Sequence, residues 1–440
     1  MVSGYRLHAR LVLFALVLVM AATAVADPIN VLTFNREFFN WATVHEADFE
    51  FPEQQLYDNV TCHIAISCPT APADCDPWDR LGWLRLRQEV APDVFEDYEL
   101  ARFITPYDIT FDGGPQACSW ELDMTDLQFL LHDTVTLRMY IETWMGNDNG
   151  WKMTVTFIMN PGIPEREPFA IQQLYSGRNV RYGDPGVPHA ESLPVVPITV
   201  PEEASFATAK IYATGHGFYN THNAAEFSNK WQRLRVDSNT EQHQLWRNDC
   251  ERNECAPQLG TWQYDRAGWC PGDKAESWNV DISDWITPGA THDMVLELQP
   301  YENWCRPNNE DCVDSAGCEC AGHASYHIMG QVVFFRQTTT EVGDGRPQDA
   351  VLHLMGNHPN PFNPVTSIKY HLAKAGTVTI SVYDAEGTLV QTVRREDGIG
   401  QQEWTWQGRD QGGRAVPSGV YLYEVRMGEE RVNGKMMLLK

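Results

Sequence analysis

From Val135 to Ile141 apolar residues fall on alternate positions, and a period of two commits a chain to extended strands. Val135, Leu137, Met139 and Ile141 take one face, while Thr136, Arg138, Tyr140, Glu142 and Trp144 take the other. Asn147-Asp148-Asn149-Gly150 supplies turn residues before Met153, Val155 and Phe157 resume the pattern. Ala207 to Ala213 and Gly330 to Phe335 read in the same style. The 26 Pro, 32 Gly, 15 Trp and 16 Tyr suit short strands and turns better than helical bundles. The expected fold is all-β, built from antiparallel sandwiches of jelly-roll topology.

A length of 440 residues exceeds one ordinary core, so the chain should divide into domains. Eight prolines lie between Pro161 and Pro201, which predicts an extended linker draped over a surface. Thr338 to Gln348 is polar and glycine-containing, and marks a second break. The expected blocks are a first sandwich over 27–165, a second over 166–340, a linker over 341–350 and a C-terminal module over 351–440. In that module Val378, Ile380 and Val382 alternate with polar residues, and Asp384-Ala385-Glu386-Gly387 reads as a hairpin turn. Its short turn spacing predicts a small immunoglobulin-like sandwich.

The first 26 residues read as a signal peptide. Arg6 and Arg10 precede an apolar run from Leu11 to Met20, then Ala24-Val25-Ala26. That run is short for a membrane span, and no later segment is long enough for one. The expected product is exported, either secreted or at the cell surface. A formal charge of −26 argues against nucleic-acid binding, which needs a basic stripe. Export makes the eleven cysteines readable as disulfides rather than as a zinc knuckle from the last four. The odd count leaves at least one thiol without an intrachain partner. Cys318 and Cys320 are too close in sequence to favour each other, so each should reach elsewhere.

The sequence contains no Gly-Lys-Ser/Thr loop, Gly-x-Ser-x-Gly elbow or His-Glu-x-x-His helix. His323 and His327, four residues apart, read as surface or core histidines rather than metal ligands, and no metal or organic cofactor is expected. Carboxylates beside tryptophans remain. Asp79 follows Trp78, Glu142 precedes Trp144, and Glu226 follows Gly215-His216-Gly217. An indole beside a carboxyl raises its pKa and a neighbouring arginine lowers it, which separates acid from base roles.

Five stretches carry a family resemblance. Cys68 to Arg80 contains Cys-Asp-x-Trp-Asp-Arg. Arg102 to Tyr107, Glu142-Thr143-Trp144, Gln242 to Leu245, and Asp265 to Gly272 follow in order. Together they resemble the peptide-N-glycosidase F family, amidases that release N-linked glycans, over about 30–335. The resemblance implies two adjacent eight-stranded jelly rolls with the site between them, and N-linked glycoproteins or glycopeptides as substrate. It implies Asp79 as the principal catalytic carboxylate with Glu226 and Glu142 as partners. Arg80 and Arg266 would hold substrate, and Trp144 and Trp269 would line the cleft. It also implies the disulfides Cys68–Cys75 and Cys250–Cys270. The family brackets the carboxylate equivalent to Glu226 with bridged cysteines, where this chain has Ala224 and Ser228. His216 and Phe227 replace family tryptophans, and the Cys305–Cys320 segment has no family counterpart.

His358-Pro359-Asn360-Pro361-Phe362-Asn363-Pro364 and the closing Ser418-Gly419-Val420-Tyr421 resemble flagellar-hook-capping immunoglobulin-like domains of exported bacterial proteins, some of which are type IX sorting signals. This implies a sorting or attachment role for 351–440 toward export or cell-surface machinery. Two other readings compete with the amidase: a glycan-binding surface protein of the same fold, and a copper monooxygenase of a related two-sandwich fold. The three retained carboxylates count against the first. The lack of a His-x-His pair counts against the second.

Overall fold

A computed structural model describes residues 27–110, 113–114, 116–338, 352–360, 362–372, 374–384, 387–428 and 430–439. The expected signal peptide (1–26) and linker (341–350) lie outside these residues. The chain divides into two compact units, with the break after Thr340.

The first unit holds two jelly-roll sandwiches. In the first, the strands Ala117–Asp123, Tyr57–Ser67 and Trp151–Pro161 form one sheet. Ile29–Leu32 and Glu37–Phe39 both pair with Trp151–Pro161, as one interrupted edge strand. His45–Glu50, Thr134–Ile141, Leu81–Ala91 and Val94–Ile104 form the facing sheet, so eight strand positions enclose the core. The alternation at Val135, Leu137, Met139 and Ile141 points inward, and these residues pack with Val155, Phe157 and Trp151. In the second sandwich, Arg166–Arg181, Ser325–Gln337, Phe206–His216 and Trp278–Asp281 face Val196–Thr199, Thr291–Leu298, Lys230–Val236 and Asn239–Leu245.

Two expectations are corrected here. The proline-rich stretch is not a surface linker: it contains the sixteen-residue strand Arg166–Arg181, paired along Ser325–Gln337. Prolines are tolerated there because this is an edge strand, and the ladder is irregular between Pro168 and Ala170. The segments 207–213 and 330–335 do not alternate in burial either. Every residue from 330 to 335 is buried, as are all of 207–213 except the intermediate Thr208. These strands cover their own core with one face and the first sandwich with the other.

That seam is polar as well as apolar. Val333 and Phe335 join the core of the first sandwich. Tyr212 donates its hydroxyl to the Leu100 carbonyl at 3.2 Å, and Gln331 exchanges two 3.1 Å bonds with the Glu99 backbone. Burial would raise the Glu99 carboxyl, but Arg102 (2.6 Å) and Arg85 (3.0 Å) together hold it below its usual range. A disulfide between Cys118 and Cys255 crosslinks the sandwiches. It closes a separation of 137 residues, so it strongly restricts the unfolded chain.

The second unit is a seven-stranded sandwich. Leu352–His358, Thr366–Leu372 and Gly400–Trp406 form one sheet. Leu389–Asp397, Gly376–Asp384, Gly419–Met427 and Glu430–Leu438 form the other. Phe362, Ile368, Val378, Ile380, Val382, Trp406 and Tyr421 belong to a core of its own.

Candidate active site at the seam of the two sandwiches

Asp79 sits on a short connection held from three sides. The Cys68–Cys75 disulfide (S–S 2.01 Å) closes the loop before it. Asp76, 1% exposed, accepts hydrogen bonds from Thr143 Oγ1 (2.7 Å), the Trp78 backbone (3.0 Å) and Arg80 Nε (2.8 Å). Thr105 Oγ1 accepts from the Arg80 amide at 2.7 Å and donates to the Trp78 carbonyl at 2.9 Å. The residues flanking Asp79 are thus pinned to the end of the strand Val94–Ile104.

The second sandwich supplies Glu226 and Arg266. Arg266 Nη1 donates to Glu226 Oε1 at 2.6 Å, and the Gly217 amide donates to Oε2 at 3.0 Å. Arg266 Nη2 reaches Thr261 Oγ1 (2.9 Å) and the Thr261 carbonyl (3.0 Å). Its guanidinium contacts the rings of Phe227 (4.7 Å) and Trp269 (4.6 Å). Trp269 is buried, donates Nε1 to the Gly215 carbonyl at 2.6 Å and stacks on His216. The segment bearing Arg266 and Trp269 is closed by the Cys250–Cys270 disulfide (S–S 2.00 Å). Gly268 has φ 81°, and a Cβ there would meet the Ala213 carbonyl at 2.4 Å, so glycine is required.

Glu142 follows the strand Thr134–Ile141, with its amide bonded to the Leu81 carbonyl. Trp144 is 50% exposed and meets the half-exposed Trp41 edge to face at 5.5 Å. The pair forms an aromatic shelf beside Glu142.

Electrostatics join the parts. Burial pushes Asp79 above the usual carboxylate range, against the pull of Arg266 and Arg80. Burial likewise raises Glu226, opposed by Arg266 and the Gly217 amide and assisted by Asp79. Glu142 is raised by burial and lowered by Arg80. Desolvation lowers Arg266, while Glu226 and Asp79 act to raise it. A buried carboxyl and a half-buried one near a single guanidinium hold a proton between them more readily than either would in water. Such a pair can offer an acid and a base at one pH. Arg266 Nε is buried without a hydrogen-bond partner.

The structure therefore brings Asp79, Glu226, Arg80 and Arg266 into one electrostatic cluster, places Glu142 beside Arg80, and sets Trp269 beneath Arg266. His216 stacks on Trp269 and Phe227 on Arg266, so both substituted positions face the site. His243, from one of the resemblance stretches, lies elsewhere, stacked on Trp278 at 4.0 Å. His323 is exposed and precedes the strand that carries His327, so they share no strand face. Cys305 pairs with Cys318, and Cys312 with Cys320, which removes the thiols a zinc knuckle would need. Among the described residues, no three His, Cys, Asp or Glu side chains converge as a metal site. Asp76, Thr105 and Thr261 were not singled out by sequence. Their importance lies in contacts made across loops, for which sequence spacing gives no signal.

The class is a double jelly-roll protein with an acid/base-competent cluster shared by both halves. Family models for peptide-N-glycosidase F match here, the N-terminal one over residues 88–157 and the C-terminal one over 188–313. A FlgD Ig-like domain matches residues 364–430. The chain is 28% identical over 271 residues to peptide-N(4)-(N-acetyl-beta-D-glucosaminyl)asparagine amidase F of Elizabethkingia miricola, covering 59% of this chain and 73% of that protein. Its fold is shared with a glycosylasparaginase from Flavobacterium meningosepticum (TM-score 0.58, 24% identity, 71% of this chain and 97% of that one). It is also shared with PNGF-II (TM-score 0.54, 14% identity, 71% and 65%). The chain is thus homologous to peptide-N-glycosidase F along both sandwiches, with a FlgD Ig-like match at its C-terminal end.

Proposed function

We propose that the protein hydrolyses the bond between N-acetylglucosamine and asparagine in N-linked glycoproteins. The observation that carries this reading is the Arg266–Glu226 ion pair with Asp79 in the field of the same guanidinium, in a chain homologous to such an amidase along both sandwiches. Water adds to the side-chain carbonyl of the glycosylated asparagine, and the amide C–N bond breaks. The protein product is aspartate, and the sugar leaves as a glycosylamine carrying the transferred proton. In this assignment Asp79 and Glu226 exchange that proton, because burial keeps both carboxyls able to bind one. Arg266 supports the oxyanion that develops on the carbonyl, and Arg80 with Glu142 orders the sugar side. Trp144, extended by Trp41, offers an apolar face to a sugar ring.

Incubation with an N-glycopeptide, followed by mass spectrometry, tests the reading. Conversion of the glycosylated Asn to Asp supports an amidase. Cleavage inside the sugar core would replace this reading with a glycosidase. Binding without any product would favour the glycan-binding alternative.

The remaining assignments belong to this proposal. Residues 27–165 and 166–340 form the catalytic unit. An N-terminal leader and the 351–440 module direct the chain outside the cell, the module through export or surface machinery. Because the module has its own core, ending the chain at Thr340 should leave the glycopeptide turnover rate unchanged. A folded, inactive truncation would make the module part of the active unit.

A further inference from the structure

The loop 217–225 that leads to Glu226 has an unusual backbone. Gly217, Tyr219, His222, Asn223 and Ala225 all have positive φ, and four of these five are not glycine. Such a run is held only when its surroundings over-determine it. Asn220, fully buried, donates Nδ2 to the carbonyls of Gly217 (3.1 Å), Ala224 (3.1 Å) and His323 (3.0 Å). The last of these reaches outside the loop, to the end of the doubly bridged segment.

Other contacts lead to the same segment. The Glu319 amide donates to the Tyr219 carbonyl at 2.7 Å. Thr221 donates its amide to Asn303 Oδ1 at 3.2 Å, and its Oγ1 accepts from the Trp304 amide at 2.7 Å. Thr221 Oγ1 also lies 3.5 Å from Cys305 Sγ. Asn303, 2% exposed, ties the two ends of the segment together by donating Nδ2 to the Gly322 carbonyl at 2.9 Å. The segment has little regular structure of its own, and the Cys305–Cys318 and Cys312–Cys320 disulfides define its shape. Gly217 closes the path. Its amide meets Glu226 Oε2, and a Cβ on it would lie 2.1 Å from the His323 carbonyl.

We propose that the doubly bridged segment 302–322 is a positioning clamp for Glu226. It holds Tyr219, Asn220 and Thr221 from outside, and so sets the place of the Gly217 amide against the carboxylate. The catalytic side of this inference rests on the amidase reading above, but its structural side does not. None of the clamp residues touches the proposed reacting atoms; they act through Gly217 and Glu226.

Three variants test the clamp: Cys305→Ala with Cys318→Ala, Thr221→Val, and Thr221→Ser, which keeps the hydroxyl. The first readouts need no substrate: hydrogen exchange of the 217–226 backbone, and titration of Glu226 followed by carboxyl NMR. The double alanine variant and Thr221→Val should both accelerate exchange at 217–226. Both should also move the Glu226 titration upward, because the Gly217 amide favours its charged form. Thr221→Ser should restore both. On glycopeptide, kcat should fall by about tenfold to a hundredfold, the scale of a misplaced catalytic group, with KM changed by less than about threefold. If the wild-type protein shows no turnover, the amidase reading fails and exchange and titration still decide the clamp. Unaltered exchange and an unmoved Glu226 titration in the folded Thr221→Val protein overturn it. If the double alanine variant does not fold, the two Thr221 variants carry the test.

Discussion

Asp79→Asn should abolish glycopeptide turnover while leaving the protein folded. The expected loss in kcat is at least ~10²-fold, the scale for a positioned acid/base group. Its neighbours are held by Asp76 and Thr105 rather than by the Asp79 carboxyl, so the loop survives the change. The variant also carries a stability signature. Burial raises the folded Asp79 carboxyl, so the folded state keeps its proton to higher pH than the unfolded chain does. Its contribution to stability is present below the ordinary aspartate range and lost as pH rises toward the raised value. The amide variant lacks that loss. It should therefore equal or exceed the wild type in urea resistance at neutral pH, with the advantage vanishing in acid. A folded variant with near-normal rates removes Asp79 from the mechanism, and a destabilised one at neutral pH contradicts the burial argument.

Arg266→Met should be more damaging, because it affects fold and chemistry together. The side chain is 3% exposed and its partner Glu226 is nearly as enclosed. Removing one member of a buried pair typically costs about 3–5 kcal/mol. Here protonation of Glu226 relieves part of that cost, so the variant should be least impaired in acid. Both Asp79 and Glu226 lose a charge that lowered their pKa, so their titrations move further up. Turnover should fall by about 10²–10³-fold, as for loss of an oxyanion donor. Arg266→Lys should recover little, since an ammonium cannot span Glu226 and Thr261 as the planar fork does. Denaturant melts and pH–rate profiles measure both effects. A variant with normal stability and unshifted pH dependence would show that the shared guanidinium does not govern the pair.

The strand Thr134–Ile141 was legible because only one of its faces meets the core. Phe206–His216 and Ser325–Gln337 lose the alternation because a second sandwich covers their other face, and a sequence does not display where a neighbour will dock. Arg166–Arg181 was hidden by prolines that an edge strand accepts. At the site, Asp79, Glu142 and Glu226 were candidates from their aromatic and glycine-rich neighbours, but their roles came from the family resemblance. Asp76, whose partner Thr143 is 67 residues away, and Thr221, whose partner Trp304 is 83 away, become meaningful only once the loops are folded together.

The eleventh cysteine has a consequence for how the chain matures. Cys62 is the free thiol among the described residues and lies wholly inside the first core. Burial raises its pKa strongly, so the native protein offers almost no thiolate for exchange. Before that core closes the position is different. Cys62 belongs to Tyr57–Ser67, the strand that pairs with Ala117–Asp123, and Cys118 sits there opposite Ile66. In the paired register Cys62 lies opposite Leu122, four residues along the strand from Cys118, so the folded sheet keeps the two sulfurs apart while the unfolded chain does not. In the reduced, unfolded chain the Cys62 thiol therefore competes with Cys255 for Cys118 until these strands pair. Cys62→Ala removes the competitor. It should raise the yield of correctly oxidised protein from refolding, at the expense of a small void in the first core.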